Sequence, residues 1–141
     1  MFSLLVRMAW EEYMEKKRHT TASGEDYLEA ILVIRNRNGN CRSIDIAHEL
    51  SFSKPSVSVA MKNLKANNYI TVDGNGSINL TETGLEIANK IYERHTFLTN
   101  WLTAIGVNPA TAADDACKME HAISAESFSA IKKYIAKNPA E

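Results

Sequence analysis

Cysteine, proline, glycine and long apolar runs are all scarce in this chain of 141 residues. Two cysteines, Cys41 and Cys117, are too few for the crosslinked framework of a small secreted domain. Only 3 prolines and 6 glycines interrupt the chain, which excludes collagen-like and low-complexity architectures. No stretch approaches the roughly 18 apolar residues of a spanning helix. The signal-like start from Phe2 to Trp10 runs straight into Glu11, Glu12 and Glu15 where a small-residue cleavage site would stand. These absences predict a reducing, cytoplasmic setting and no membrane partner. No glycine-rich phosphate loop, separate base or nucleophile stands out either, so an enzyme is not expected.

What is present is the composition of a folded, mostly helical protein of one or two small domains, 45% hydrophobic and 23% charged. The net charge of −1 argues against a general nucleic-acid coat, but the charge is unevenly placed. Residues 1–34 hold 4 basic and 6 acidic side chains, residues 35–65 hold 6 and 2, and the remainder 6 and 9. A basic block between acidic segments is the pattern of a small DNA-reading surface; an ordinary solvated face is its plain alternative.

Helical spacing of Tyr27, Leu28, Ile31 and Leu32, opened by Ser23 and Asp26 in the manner of a capping box and closed by Asn38-Gly39, predicts a first helix. Ser43–Leu50 reads as a short helix, Ser51-Phe52-Ser53 as a turn, and Pro55 opens a second helix with Val57, Ala60, Met61 and Leu64 on one face. Alternating Tyr69–Val72 and Ser77–Leu80 flank Asp73-Gly74-Asn75-Gly76, a hairpin signal. A helix-turn-helix followed by a hairpin is a winged helix. From the Thr81–Gly84 step a long helix follows, its apolar face expected at Leu85, Ala88, Ile91, Tyr92, His95, Leu98 and Leu102. Two more helices are expected over 110–122 and 125–137. The fold class is therefore mainly α: a winged helix-turn-helix DNA-binding domain (21–83), an all-helical dimerisation domain (84–141), and an amino-terminal amphipathic helical extension (1–20), expected to pack on its own or a partner subunit.

Cys117, Glu120 and His121 stand at i, i+3 and i+4 and so share a helix face. Thiolate, carboxylate and imidazole projecting together can seat a divalent transition ion. Asp26 and Glu29, three apart on the first helix, and His95 on the long helix are the available partners. Each has an ordinary alternative: Asp26 caps its helix, Glu29 is solvated, His95 is a satisfied core histidine.

In this order and spacing, Ser23 to Ile31, the helix-turn-helix from Ile46 to Leu64, Leu80–Gly84, Glu93-Arg94-His95 and Cys117–His121 resemble the diphtheria toxin repressor family of metal-dependent transcriptional regulators, and more closely its short manganese-regulator branch. The resemblance implies a homodimer that binds double-stranded operator DNA when loaded with metal and represses genes of metal homeostasis, without an organic small-molecule substrate. It implies Asp26, Glu29, His95, Cys117, Glu120 and His121 as ligands. Cys117 stands where the manganese branch has Glu and the iron branch has Cys, whereas an iron-branch His four residues earlier is replaced by Ala113. Oxygen donors favour Mn2+ or Fe2+, the first candidates, and the softer thiolate admits Zn2+ or Co2+.

The outward face of the second motif helix offers Lys54, Pro55, Ser56, Ser58, Val59 and Lys62, with Arg42 of the basic block beside it, as the expected DNA contacts. Val59 can touch a thymine methyl but donates no hydrogen bond. A metal-independent winged-helix regulator is the alternative reading. Cys41 lies in a loop where nothing lowers its thiol pKa.

Overall fold

The computed structural model describes Leu4 and residues 22–138; apart from Leu4, the expected amino-terminal helix lies outside the described residues. Helix α1 (Ala22–Asn38) ends where Gly39, at φ +85°, donates its N–H to the Arg35 carbonyl. Helices α2 (Ser43–Leu50) and α3 (Lys54–Ala66) form the helix-turn-helix. Ser51 makes the turn in the left-handed region at φ 55°, and Ser53 caps α3 by accepting from Ser56 N at 3.3 Å. Val57, Met61 and Leu64 of α3 are buried and Ala60 is half-buried, as the spacing predicts.

Strands β1 (Ile70–Val72) and β2 (Ile78–Leu80) pair antiparallel with Ile70 opposite Leu80. Their turn is held by the Asp73 carboxylate, which accepts from Asn75 N and Ser77 N, both at 2.9 Å. Strand β2 is tied to the rest of the fold by Arg35, which donates to the Ile78 carbonyl at 2.9 Å, and by Ile78 N, which donates to the Cys41 carbonyl. Thr81 then caps helix α4 (Glu82–Ala104), accepting from Gly84 N at 3.1 Å, and its own N–H donates to the Tyr69 carbonyl. Gly84 is required by crowding: a Cβ there would stand 2.0 Å from that same carbonyl oxygen. Helices α5 (Pro109–Ala122) and α6 (Ala125–Lys137) follow.

Two cores result. Leu28, Ile31, Ile34, Ile46, Val57, Ile70 and Ile78 fill the winged helix, joined by Ala88 of α4. Leu98, Ala116 and Phe128, with Phe97 and Trp101 against them, fill the second. Helix α4 thus runs through both. Its buried side is Gly84, Ala88, Ile91, Arg94 and Leu98, which corrects the expected stripe: Leu85 and Tyr92 are 41% and 46% exposed, because the helix is turned about a residue further round than the apolar count suggests. Cys41 is wholly buried, and burial pushes its thiol up to about 12, so it packs as a small apolar side chain.

Candidate metal centre

The expected ligands come from three helices that meet at the junction of the two cores. Glu120, on the inner face of α5, is fully buried. Its Oε2 lies 2.9 Å from His95 Nδ1, and Cys117 Sγ is 3.6 Å from the same nitrogen. Its Oε1 faces the other way, 3.4 Å from His121 Nε2, which is itself 2.7 Å from Asp26 Oδ1. Two donor groups follow, His95-Cys117-Glu120 and Asp26-Glu120-His121, and in each the ligand atoms all lie within 4.8 Å of one another. Asp26 is therefore committed to His121 rather than to its own helix end. Glu29 lies outside both triads but beside them: Glu120, His95, Asp26 and His121 all act on its charge. Glu29 Oε2, Glu120 Oε1 and His121 Nδ1 are buried with no hydrogen-bond partner among the described residues. Buried polar atoms left open in this way are costly unless something meets them, and a divalent cation fits a donor set of this kind.

The electrostatics point the same way. Burial first, and then Glu120, push the Glu29 carboxyl up to about 7, and burial does the same for Glu120 against the opposing pull of His121. Cys117 is exposed, and partial desolvation of its thiol together with the Glu120 charge pushes it to about 11. Burial lowers His121, but the hydrogen bond to Asp26 and the neighbouring carboxylates of Glu25 and Glu120 outweigh that and carry it to about 10. Without a cation, then, the cluster holds protons more tightly folded than unfolded. Each raised group contributes stability that is full below its ordinary pKa and lost as pH rises through its folded value. The windows run from 4.5 to about 7 for the two glutamates and from 6.5 to about 10 for His121. Metal-free protein is accordingly expected to melt at progressively lower temperature as pH is raised from about 5 to about 9. A series of thermal melts in chelator checks this, and a rising midpoint would contradict it.

Two residues of the site escaped the sequence reading. Glu25, beside Asp26, places Oε1 3.8 Å from His121 Nδ1; an acidic residue in a first helical turn gives no signal that separates it from an ordinary helix-dipole partner. Arg94, beside His95, is 4% exposed, and an arginine in a helical sequence gives no local signal of burial. The residues expected to contact DNA, Arg42, Lys54, Pro55, Ser56, Ser58, Val59 and Lys62, are all exposed, Val59 by 59%. Two arginines of the basic block are otherwise engaged: Arg35 holds β2, and Arg37 pairs with Glu49 at 2.7 Å.

Comparison with known families decides the kinship. Residues 19–78 match the iron dependent repressor N-terminal DNA binding domain, and residues 81–140 match the iron dependent repressor metal binding and dimerisation domain. The chain belongs to the iron-dependent repressor family. Transcriptional regulator MntR of Escherichia coli O6:H1 is 31% identical over 136 residues, covering 93% of this chain and 88% of that protein. HTH-type transcriptional regulator MntR of Listeria monocytogenes is 32% identical over 111 residues, covering 79% and 78%. Among solved structures, that of the manganese regulator SloR superposes with a TM-score of 0.72 at 24% identity, over 80% of this chain. This chain spans about half the length of SloR, 53%. As a member of this repressor family it is a transcriptional regulator, with a winged-helix DNA-binding domain and a helical metal-binding and dimerisation domain. The regulators of this family are not enzymes. No helix among the described residues is long and apolar enough to cross a membrane.

Proposed function

We propose that this regulator is a cytoplasmic, metal-activated repressor that binds operator DNA as a homodimer and controls metal homeostasis. In this reading Asp26, Glu29, His95, Cys117, Glu120 and His121 hold the metal, while Arg42, Lys54, Pro55, Ser56, Ser58, Val59 and Lys62 meet DNA. The DNA-reading unit is residues 21–83, the metal-binding and dimerisation unit 84–141, with 1–20 an extension. The observation that carries the reading is Glu120, buried with its two oxygens turned to two different donor triads. A divalent ion supplies there the positive charge that the crowded carboxylates lack. The residues then do the rest. Asp26 and Glu29 belong to the first helix of the DNA-reading unit, and the other four to helices of the second, so closing the cluster fixes one unit against the other. Exposed Leu85, Tyr92 and Tyr134 offer apolar surface to a second copy, and a fixed dimer sets the spacing of its two α3 helices along successive major-groove turns.

The triads differ in chemistry. Asp26-Glu120-His121 offers oxygen and nitrogen, suiting manganese or ferrous iron; His95-Cys117-Glu120 adds a thiol, which suits iron, cobalt or zinc. The iron dependent repressor family and the manganese regulator SloR, which shares the fold, favour the first two ions, with zinc and cobalt as lesser candidates. The test is an anaerobic titration of reduced, metal-free protein with Mn2+, Fe2+ and Zn2+ at buffered free concentrations, following affinity for DNA upstream of its own gene. Operator affinity is expected to rise at least about tenfold, or about 1.4 kcal/mol, with the cognate ion. Equal affinity with and without every ion would leave a metal-independent winged-helix regulator.

A further inference from the structure

Neither DNA reading nor the ligand set uses Arg94, although among the described residues it and Glu120 are the buried charged side chains. It stands on α4 beside His95. Its Nη1 donates to the Glu120 carbonyl at 3.0 Å and to the Ile123 carbonyl at 2.5 Å. Those carbonyls belong to the last turn of α5 and its C-cap, and the last carbonyls of a helix have no donor within it. The guanidinium carbon lies 5.4 Å from the ring centroid of Phe128 of α6, and that ring meets Phe97 edge-on, again at 5.4 Å. Burying a guanidinium is costly unless its donors are met, and Arg94 Nε has no partner among the described residues. An apolar side chain of similar length could fill the volume at less cost. What the guanidinium adds is a planar amino group, Nη1, whose N–H bonds hold two carbonyls at the end of α5 from α4, next to the buried carboxylate of Glu120.

We infer that Arg94 is a positioning residue of the metal centre: by holding the Glu120 and Ile123 carbonyls it fixes the last turn of α5 so that Glu120 and His121 face His95 and Asp26, and it seats α6 on the same anchor. The inference rests on the ligand assignment proposed above. It makes α6 a reporter of the metal site through two contacts, carbonyl to guanidinium and guanidinium to Phe128. Ordering of Glu120 and His121 steadies the carbonyls that Arg94 holds, and so the ring stacked on it.

The experiment uses the full chain, reduced and metal-free, with Mn2+ and Co2+ as probes. Calorimetry gives the Kd, absorption gives the cobalt ligand-field bands, and amide hydrogen exchange follows residues 125–137 with and without Mn2+. Arg94→Gln is expected to weaken both ions about tenfold or more, to shift the cobalt bands and to abolish the metal-induced protection of α6. Arg94→Lys, which keeps the charge but not the planar guanidinium, is expected to fall between. Leu98→Ala, a core truncation on the same helix that touches neither carbonyl, is expected to lower the melting temperature yet keep Kd within about twofold. If Arg94→Gln behaves like Leu98→Ala, destabilised but with Kd and cobalt spectrum unchanged, the inference is overturned. Should Arg94→Gln fail to fold, Arg94→Lys decides by the same two readouts: parental values overturn the inference, weakened binding with shifted bands supports it. Failure of the unsubstituted protein to bind either ion would instead bring down the ligand assignment, and is recognised before any variant is read.

Discussion

Glu120→Gln is expected to weaken metal binding by about 100-fold, at the upper end of what loss of even an outer partner costs a metal site, and to leave operator affinity at its metal-free level whatever the ion. Gln keeps the shape and one carbonyl oxygen but cannot supply a negative oxygen to both triads at once, and Glu120 is the residue common to both. The same substitution is expected to raise the stability of the metal-free protein. At pH 8 the buried carboxylate, with its pKa near 7, is largely ionised against the cost of its burial; a neutral amide carries no such penalty. The gain over the unsubstituted protein should therefore be largest near pH 8 and shrink toward pH 5, where Glu120 is protonated anyway. Metal calorimetry and melts in chelator at the two pH values check both halves. Lower stability of the variant at pH 8 would show that the carboxylate is well satisfied without metal.

Gly84→Ala sets two effects against each other, and their sizes decide the outcome. Helix propensity favours alanine over glycine by about 1 kcal/mol. Against this, the new Cβ would lie 2.0 Å from the Tyr69 carbonyl oxygen, a distance that only movement of backbone can relieve. That carbonyl also accepts the Thr81 N–H at 3.0 Å, so the movement loosens the α4 cap as well. Overpacking of this kind costs about 3 kcal/mol, leaving a net loss near 2 kcal/mol and a melting temperature lowered by roughly 8 °C. Denaturant unfolding measures it directly, and equal or higher stability would mean that the start of α4 shifts freely away from the wing.

The elements were legible because local signals in this chain agree with its tertiary structure. Ser53 with Pro55 marks the start of α3, Asp73 and Gly76 mark the hairpin turn, and the i, i+3, i+4 spacing of Cys117, Glu120 and His121 puts them on one face of α5. The convergence of Asp26 and His95 on that face was legible only through family resemblance, since no periodicity tells which helices meet. Residues whose role depends on what lies opposite were not legible. Arg94 reads as one more surface arginine until Phe128 and the α5 carbonyls are placed around it, and Glu25 as a dipole partner until His121 is brought to it. Leu85 and Tyr92 failed for a related reason: apolar residues one position off a buried stripe look like part of it.

The bond between Asp26 and His121 joins residues 95 apart in the chain, and this orders events during synthesis. The helix-turn-helix and hairpin, through Leu80, are made before α5 with Cys117, Glu120 and His121, and α4, which enters both cores, is made between them. Translation at about 5–20 residues per second leaves roughly 2–8 s between Leu80 and His121. In that interval α4 is added, and its Ala88 closes the core of the winged helix before the partners of Asp26 and His95 on α5 exist. Control by metal, on this view, is acquired on the ribosome later than the DNA-reading elements, and a chain cut short before α5 would carry the helix-turn-helix and wing without Cys117, Glu120 and His121.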